Sequence, residues 1–106
     1  LLTTYLYVLF LVIIIYKLKS KEEKMDLSIE LTAYPLEEKY LPIIEDYIEH
    51  LKSYKNVIIK TFPTCSVIYG QHDDVIKVLS SSIKWSVENH NKVIFITKFL
   101  PNYKAI

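Results

Sequence analysis

The sequence predicts an α+β fold in which one four-stranded antiparallel sheet carries two helices on one face. Three observations predict it. DLSIELTAY alternates apolar and polar residues with a period of two, which marks a half-buried strand. Two later stretches repeat apolar residues at spacings of three and four, which marks amphipathic helices. Three further β-branched runs complete the order strand, helix, strand, strand, helix, strand.

In the first strand Leu27, Ile29, Leu31 and Ala33 share one side, and Ser28, Glu30, Thr32 and Tyr34 share the other. Pro35 ends it, having no N–H to offer a ladder. Residues 37–54 then predict a helix with Tyr40, Ile44, Tyr47 and Leu51 inward, joined by Leu41 and Ile48. Glu45, Asp46, Glu49 and Lys52 take the outer side. Pro42 is tolerated there because it falls near the first turn.

After a turn at Lys55 and Asn56, VIIKTF reads as a short strand, and TCSVIYG beyond Pro63 as its hairpin partner, ending at Gly70. Asp73 or Asp74 is expected to cap a second helix with a stripe of Val75, Ile76, Leu79, Ile83 and Val87. Trp85 lies out of phase with that stripe and reads as helix packing. His90 and Asn91 break the helix, and KVIFITKF supplies a fourth strand before Pro101. This order is the split βαβ, or ferredoxin-like, plan, an α+β sandwich with one sheet face left bare. A bare, partly apolar face suits a second subunit or a flat ligand. The near-continuous apolar runs of the second and fourth strands suggest that both of their faces are partly covered.

Composition narrows the function. The chain has 106 residues, enough for one small domain. Four of the lysines, Lys17, Lys19, Lys21 and Lys24, precede Met25 beside Glu22 and Glu23, so the segment from Met25 onward is close to neutral. Arginine is absent and the lysines are scattered, which argues against a nucleic-acid partner. A single cysteine, Cys65, permits no intrachain disulfide. His50, His72 and His90 lack the close spacing that helps to build a metal site, and one glycine cannot make a Gly-rich phosphate loop. No motif sets a base beside a nucleophile, so the expectation is a protein without catalysis or cofactor.

Residues 1–16, LLTTYLYVLFLVIIIY, are uncharged and fall a little short of the roughly 20 residues of a membrane-spanning helix. Two readings stand. Residues 1–24 are either an anchor, with the lysines holding the domain in the cytoplasm, or an upstream region read through in frame. In the second case Met25 begins a cytoplasmic protein, because Glu22-Glu23-Lys24 can be encoded by a purine-rich ribosome-binding stretch just before a start codon. The domain expected to fold is 25–106.

LTAYPLEEKYLPIIEDYIEHLKSY, TCSVIYGQHDDVIKVL and VIFITKFLP, in this order, resemble the thiamine-binding, YkoF-like family. Together they cover nearly everything after Met25. The resemblance implies non-enzymatic binding of thiamine or its hydroxymethylpyrimidine half, in salvage or transport of thiamine precursors. It implies a pyrimidine held near the sheet and its loops, self-association sheet to sheet as a homodimer or homotetramer, and a thiamine-precursor transporter as a further partner. A pair of small residues that usually includes Thr matches Cys65 and Ser66 here, so this chain keeps one hydroxyl and carries a thiol beside it.

An aminopyrimidine needs an aromatic or aliphatic wall and a few aimed polar groups. Glu30 is placed to accept from the amine or to balance the thiazolium of whole thiamine; otherwise it is a solvated strand residue. Thr32 offers a hydroxyl to the ring, or is there for strand propensity. Tyr34 offers a stacking or cation–π face, or anchors the sheet edge over Pro35. Ser66 can donate to a ring nitrogen, while Cys65 is the more ordinary small buried residue. Lys98 is in phase with Ile94 and Ile96, and either pairs with Glu30, reaches a ligand oxygen, or snorkels. The rival to a ligand site is an oligomerisation or regulatory module that uses the sheet face alone.

Overall fold

The computed structural model describes residues 1–23 and 25–106, the side chains of 19–23 excepted. Its elements run α1 (Leu2–Glu23), β1 (Asp26–Pro35), α2 (Leu41–Leu51), β2 (Ile58–Thr61), β3 (Ser66–Gln71), α3 (His72–Asn89) and β4 (Val93–Pro101). The four strands form one sheet of order β2-β3-β1-β4 with every neighbour antiparallel. From β1 onward this is the α+β ferredoxin-like fold.

Alternation along β1 sends Leu27, Ile29 and Leu31 under the helices, where all three are buried. The register carries that face across the sheet, because Ile29 lies opposite Ile68 and Leu31 opposite Ser66, and Ile68 in turn lies opposite Ile59. Tyr47 and Leu51 of α2 and Val75 and Val78 of α3 close the core from above.

Both helices are rotated from the faces that simple periodicity predicts. In α2 the buried residues are Ile43, Tyr47 and Leu51, while Tyr40 and Leu41 are exposed. The helix starts at Leu41 rather than 37, since Pro42 fits only the first turn. In α3 the buried residues are Val75, Val78, Ser82 and Ser86, whereas Ile76 and Val87 face outward. Ser82 is accommodated because its hydroxyl meets the Tyr47 hydroxyl at 2.8 Å and donates to the Leu79 carbonyl at 3.2 Å. Gln71, not Asp73 or Asp74, is the N-cap of α3, because β3 passes into the helix without a loop. The two aspartates occupy the first turn, where the positive end of the helix dipole favours them. Trp85 packs against the core and stacks on His50, with ring centroids 4.1 Å apart and planes 4° from parallel.

The sheet face away from the helices is less bare than Ser28, Glu30, Thr32 and Tyr34 suggest. Ser28 is fully buried, since residues 102–106 cross over it. Its hydroxyl donates to the Tyr103 carbonyl at 2.5 Å and accepts from the Ala105 N–H at 3.0 Å. Asn102, at φ 54°, turns the chain back, and its N–H reaches the Asp26 carbonyl at 2.7 Å. Toward the other end of the sheet Tyr34, Ile94 and Ile96 are exposed, as is Ile58 on the β2 edge, so β2 and β4 are not covered on both faces.

Every side chain from Leu1 through Leu18, in and before α1, is exposed. The uncharged stretch, at about 1.5 Å per residue, spans about 24 Å against roughly 30 Å of hydrocarbon. Among the described residues no helix is long and apolar enough to cross a membrane. The junction at Lys24 lies outside the described residues.

Candidate functional site

The hairpin between β2 and β3 folds toward α2 and the end of β1, and a cleft opens beneath it. The turn is closed by the Phe62 N–H donating to the Cys65 carbonyl at 2.8 Å. Thr32 latches it to β1 by donating from Oγ1 to the Thr64 carbonyl at 3.1 Å. Pairing of Thr61 with Ser66 across the hairpin brings their hydroxyl oxygens to 3.1 Å. Because the β1–β3 ladder stops at Leu31 and Ser66, residues of both strand phases reach the cleft from its end.

The inner cleft is about 70 Å³. Its apolar wall is Leu31, Ile44, Ile48 and the Tyr47 ring, and its polar atoms come from Thr32, Thr61, Cys65 and Ser66. Ile44 and Ile48 are only half-buried because they face this space instead of the core. An outer groove of about 380 Å³ shares Thr32, Ile44, Pro63 and Thr64 with it and adds Tyr34 and Tyr40, both half-exposed. The groove alone falls within the roughly 300–1,000 Å³ of small-molecule sites.

Every described residue that lines either space is uncharged. Tyr47 does not alter this, since burial pushes its phenol up to about 12, opposed only in part by the bond to Ser82. The arrangement can hold a flat ring between aliphatic and aromatic walls and address its heteroatoms with two or three hydroxyls. Among the described residues no group of three or more His, Cys, Asp or Glu side chains could hold a metal ion.

Of the residues singled out from sequence, Thr32, Cys65 and Ser66 line the inner cleft, and Thr32 and Tyr34 the outer groove. Glu30 and Lys98 line neither. They lie opposite each other on β1 and β4, with Nζ 3.9 Å from Oε1 on the open sheet face. Sequence reasoning missed Thr61, Tyr47, Ile44 and Ile48. Thr61 was within reach, since a four-residue hairpin loop over 62–65 places it opposite Ser66.

No protein-family model and no curated protein matches the chain. Solved structures do. A Streptococcus pneumoniae protein, SP2199, superposes with a TM-score of 0.64 at 21% identity, covering 71% of this chain and 84% of its own. A Thermotoga maritima protein, TM0486, described as a candidate thiamine biosynthesis or salvage protein, gives 0.63 at 15% identity, covering 76% and 85%. A Bacillus cereus domain of unknown function, DUF77, gives 0.58 at 13% identity, covering 74% and 76%. At these identities the likeness is one of fold.

Proposed function

We propose that this chain is a non-enzymatic binding protein for thiamine or its hydroxymethylpyrimidine moiety, acting in precursor salvage or transport. The observation that carries the reading is the uncharged cleft beneath the β2–β3 hairpin, walled by Ile44, Ile48 and Tyr47 and pointed with the hydroxyls of Thr32, Thr61 and Ser66. A methylated aminopyrimidine presents the matching chemistry, an apolar flat body with ring nitrogens and an amine at its edge. The resemblance noted in the sequence and the thiamine-related description of the Thermotoga maritima neighbour point the same way. In this reading Thr32, Cys65 and Ser66 hold the ring, Tyr34 covers the mouth, and Glu30 and Lys98 belong to the sheet face where a second copy seats to give a homodimer or homotetramer. A cytoplasmic location and delivery to or from a precursor transporter complete it.

The exposed Tyr34, Ile58, Ile94 and Ile96 favour a second reading, an oligomerisation or regulatory module without a ligand. Calorimetric titration of the chain with thiamine and with the free pyrimidine separates the two. Binding heat and a raised melting temperature are expected; neither, at millimolar ligand, defeats the binding reading. Ser66→Ala is expected to weaken binding by about 1 kcal/mol, roughly fivefold in Kd.

A further inference from the structure

A ligand in the cleft leaves α1 without a role. The uncharged part of that helix has no apolar stripe, since its Leu, Ile, Val and Phe side chains are spread around the whole circumference. None of its large apolar side chains is less than 38% exposed, so no side of it is seated on the domain. A helix that is apolar all round needs cover on every side. The same helix of a second copy would cover one stripe and leave the rest wet, whereas lipid chains surround the whole of it.

The two ends of the stretch suit a bilayer entered from one side. With Lys17 at one headgroup layer, roughly 24 Å of helix in roughly 30 Å of hydrocarbon stops about 6 Å short of the other. Thr3, Thr4, Tyr5 and Tyr7 lie at that far end, and Tyr16 lies beside Lys17. Tyrosine favours the headgroup boundary, where its ring is in apolar surroundings and its hydroxyl is wet. Lys17, Lys19, Lys21 and Lys24 outnumber Glu22 and Glu23 by two, while the segment from Met25 onward is close to neutral. Attraction for negative headgroups is therefore concentrated where the chain leaves the hydrocarbon.

We propose that α1 docks the chain on a lipid bilayer that contains anionic headgroups. The stretch up to Tyr16 is buried in hydrocarbon without crossing it, the lysines that follow lie at the headgroups, and the domain from Met25 onward stays in water. Docking requires residues 1–24 to be part of the protein, the first of the two readings of that segment, and is independent of what the cleft holds.

Flotation of the full chain with lipid vesicles tests this, because bound protein rises with the vesicles while oligomers and aggregates sink. The chain is expected to float with phosphatidylcholine vesicles, and more tightly with vesicles that also contain phosphatidylglycerol. Changing Lys17→Gln together with Lys19→Gln should weaken binding to the anionic vesicles about fivefold for each lysine removed, and leave binding to the neutral ones unchanged. Changing Ile13→Glu together with Ile14→Glu sets two charges inside the apolar stretch and should abolish flotation with both. Trp85 fluorescence in urea, unchanged in either variant, shows that the domain is still folded. A full chain that stays at the bottom of the gradient with both vesicles, whether as an oligomer assembled through α1 or as an aggregate, would overturn membrane docking. Equal affinity for the two vesicles, unaltered by the lysine changes, would overturn the part assigned to anionic headgroups.

Discussion

Tyr47 joins the two helices, and its ionisation should be readable as stability. Its hydroxyl lies 2.8 Å from the Ser82 hydroxyl in the core, and burial raises its pKa from 10 to about 12. In the folded protein the phenol keeps its proton to a higher pH than it does in the unfolded chain. The stabilisation this represents is complete below about pH 10 and is lost as pH rises through about 12. Two pH units correspond to about 2–3 kcal/mol, most of it lost by about pH 12. Tyr47→Phe removes this titration and, at neutral pH, sacrifices one net hydrogen bond, about 1 kcal/mol. Urea unfolding at a series of pH values, followed by the fluorescence of Trp85, which lies 6.4 Å from the Tyr47 ring, compares the two proteins. Lysines and the other tyrosines titrate in the same range, but they are common to both and cancel in the difference. The wild type should be the more stable near pH 7, by about 1 kcal/mol, and the less stable near pH 12 by a similar amount. Curves that fall in parallel, without crossing, would refute the assignment of a buried proton to Tyr47.

Gly70→Ala should destabilise by about 1–2 kcal/mol in urea melts, because a Cβ there meets Val57 Cγ1 at 3.2 Å and the buried Val75 at 3.5 Å. Burial lowers the pKa of His50, an effect the charge of Asp46 only partly opposes, so the folded protein holds that proton less well than the unfolded chain. Stability should therefore fall as pH drops below about 6.5, and His50→Gln should flatten that part of the profile. Thr32→Val, which cuts the latch to Thr64, should lower stability by about 0.5–1 kcal/mol and speed amide exchange in the 62–65 turn, seen by hydrogen–deuterium exchange. Glu30→Gln should change the urea midpoint by less than about 0.5 kcal/mol, since its partner Lys98 is 3.9 Å away and well exposed.

The elements themselves were legible because each is encoded locally. The alternation of Leu27, Ile29 and Leu31 against Ser28 and Glu30 specifies a strand and its core side, and Pro35 and His90 mark ends that the fold keeps. Helix rotation was not legible at this level. Ile76 and Val87 are more apolar than Ser82 and Ser86, yet both serines are inside; for Ser82 the reason is that α2 places the Tyr47 hydroxyl where a small hydroxyl side chain meets it. The resemblance pointed to the neighbourhood of Cys65 and Ser66, but β1 phase grouped Glu30 with Thr32 and Tyr34. All three keep one strand phase along β4, but the β1–β3 ladder ends at Leu31 and Ser66, so Thr32 and Tyr34 line the groove past that end while Glu30, inside the ladder, lies opposite Lys98.

Sequence by itself determined the element order, the α+β class and the core face of β1, because periodicity and turn chemistry act over a few residues at a time. Tertiary structure alone decided that residues 102–106 bury Ser28, that Ile44 and Ile48 wall a cleft rather than fill a core, and that this cleft is free of charge. Each depends on separate segments of the chain meeting in space, as Ser28 meets Ala105 77 positions away. Such a meeting follows from how the helices seat on the twisted sheet, which no local pattern records.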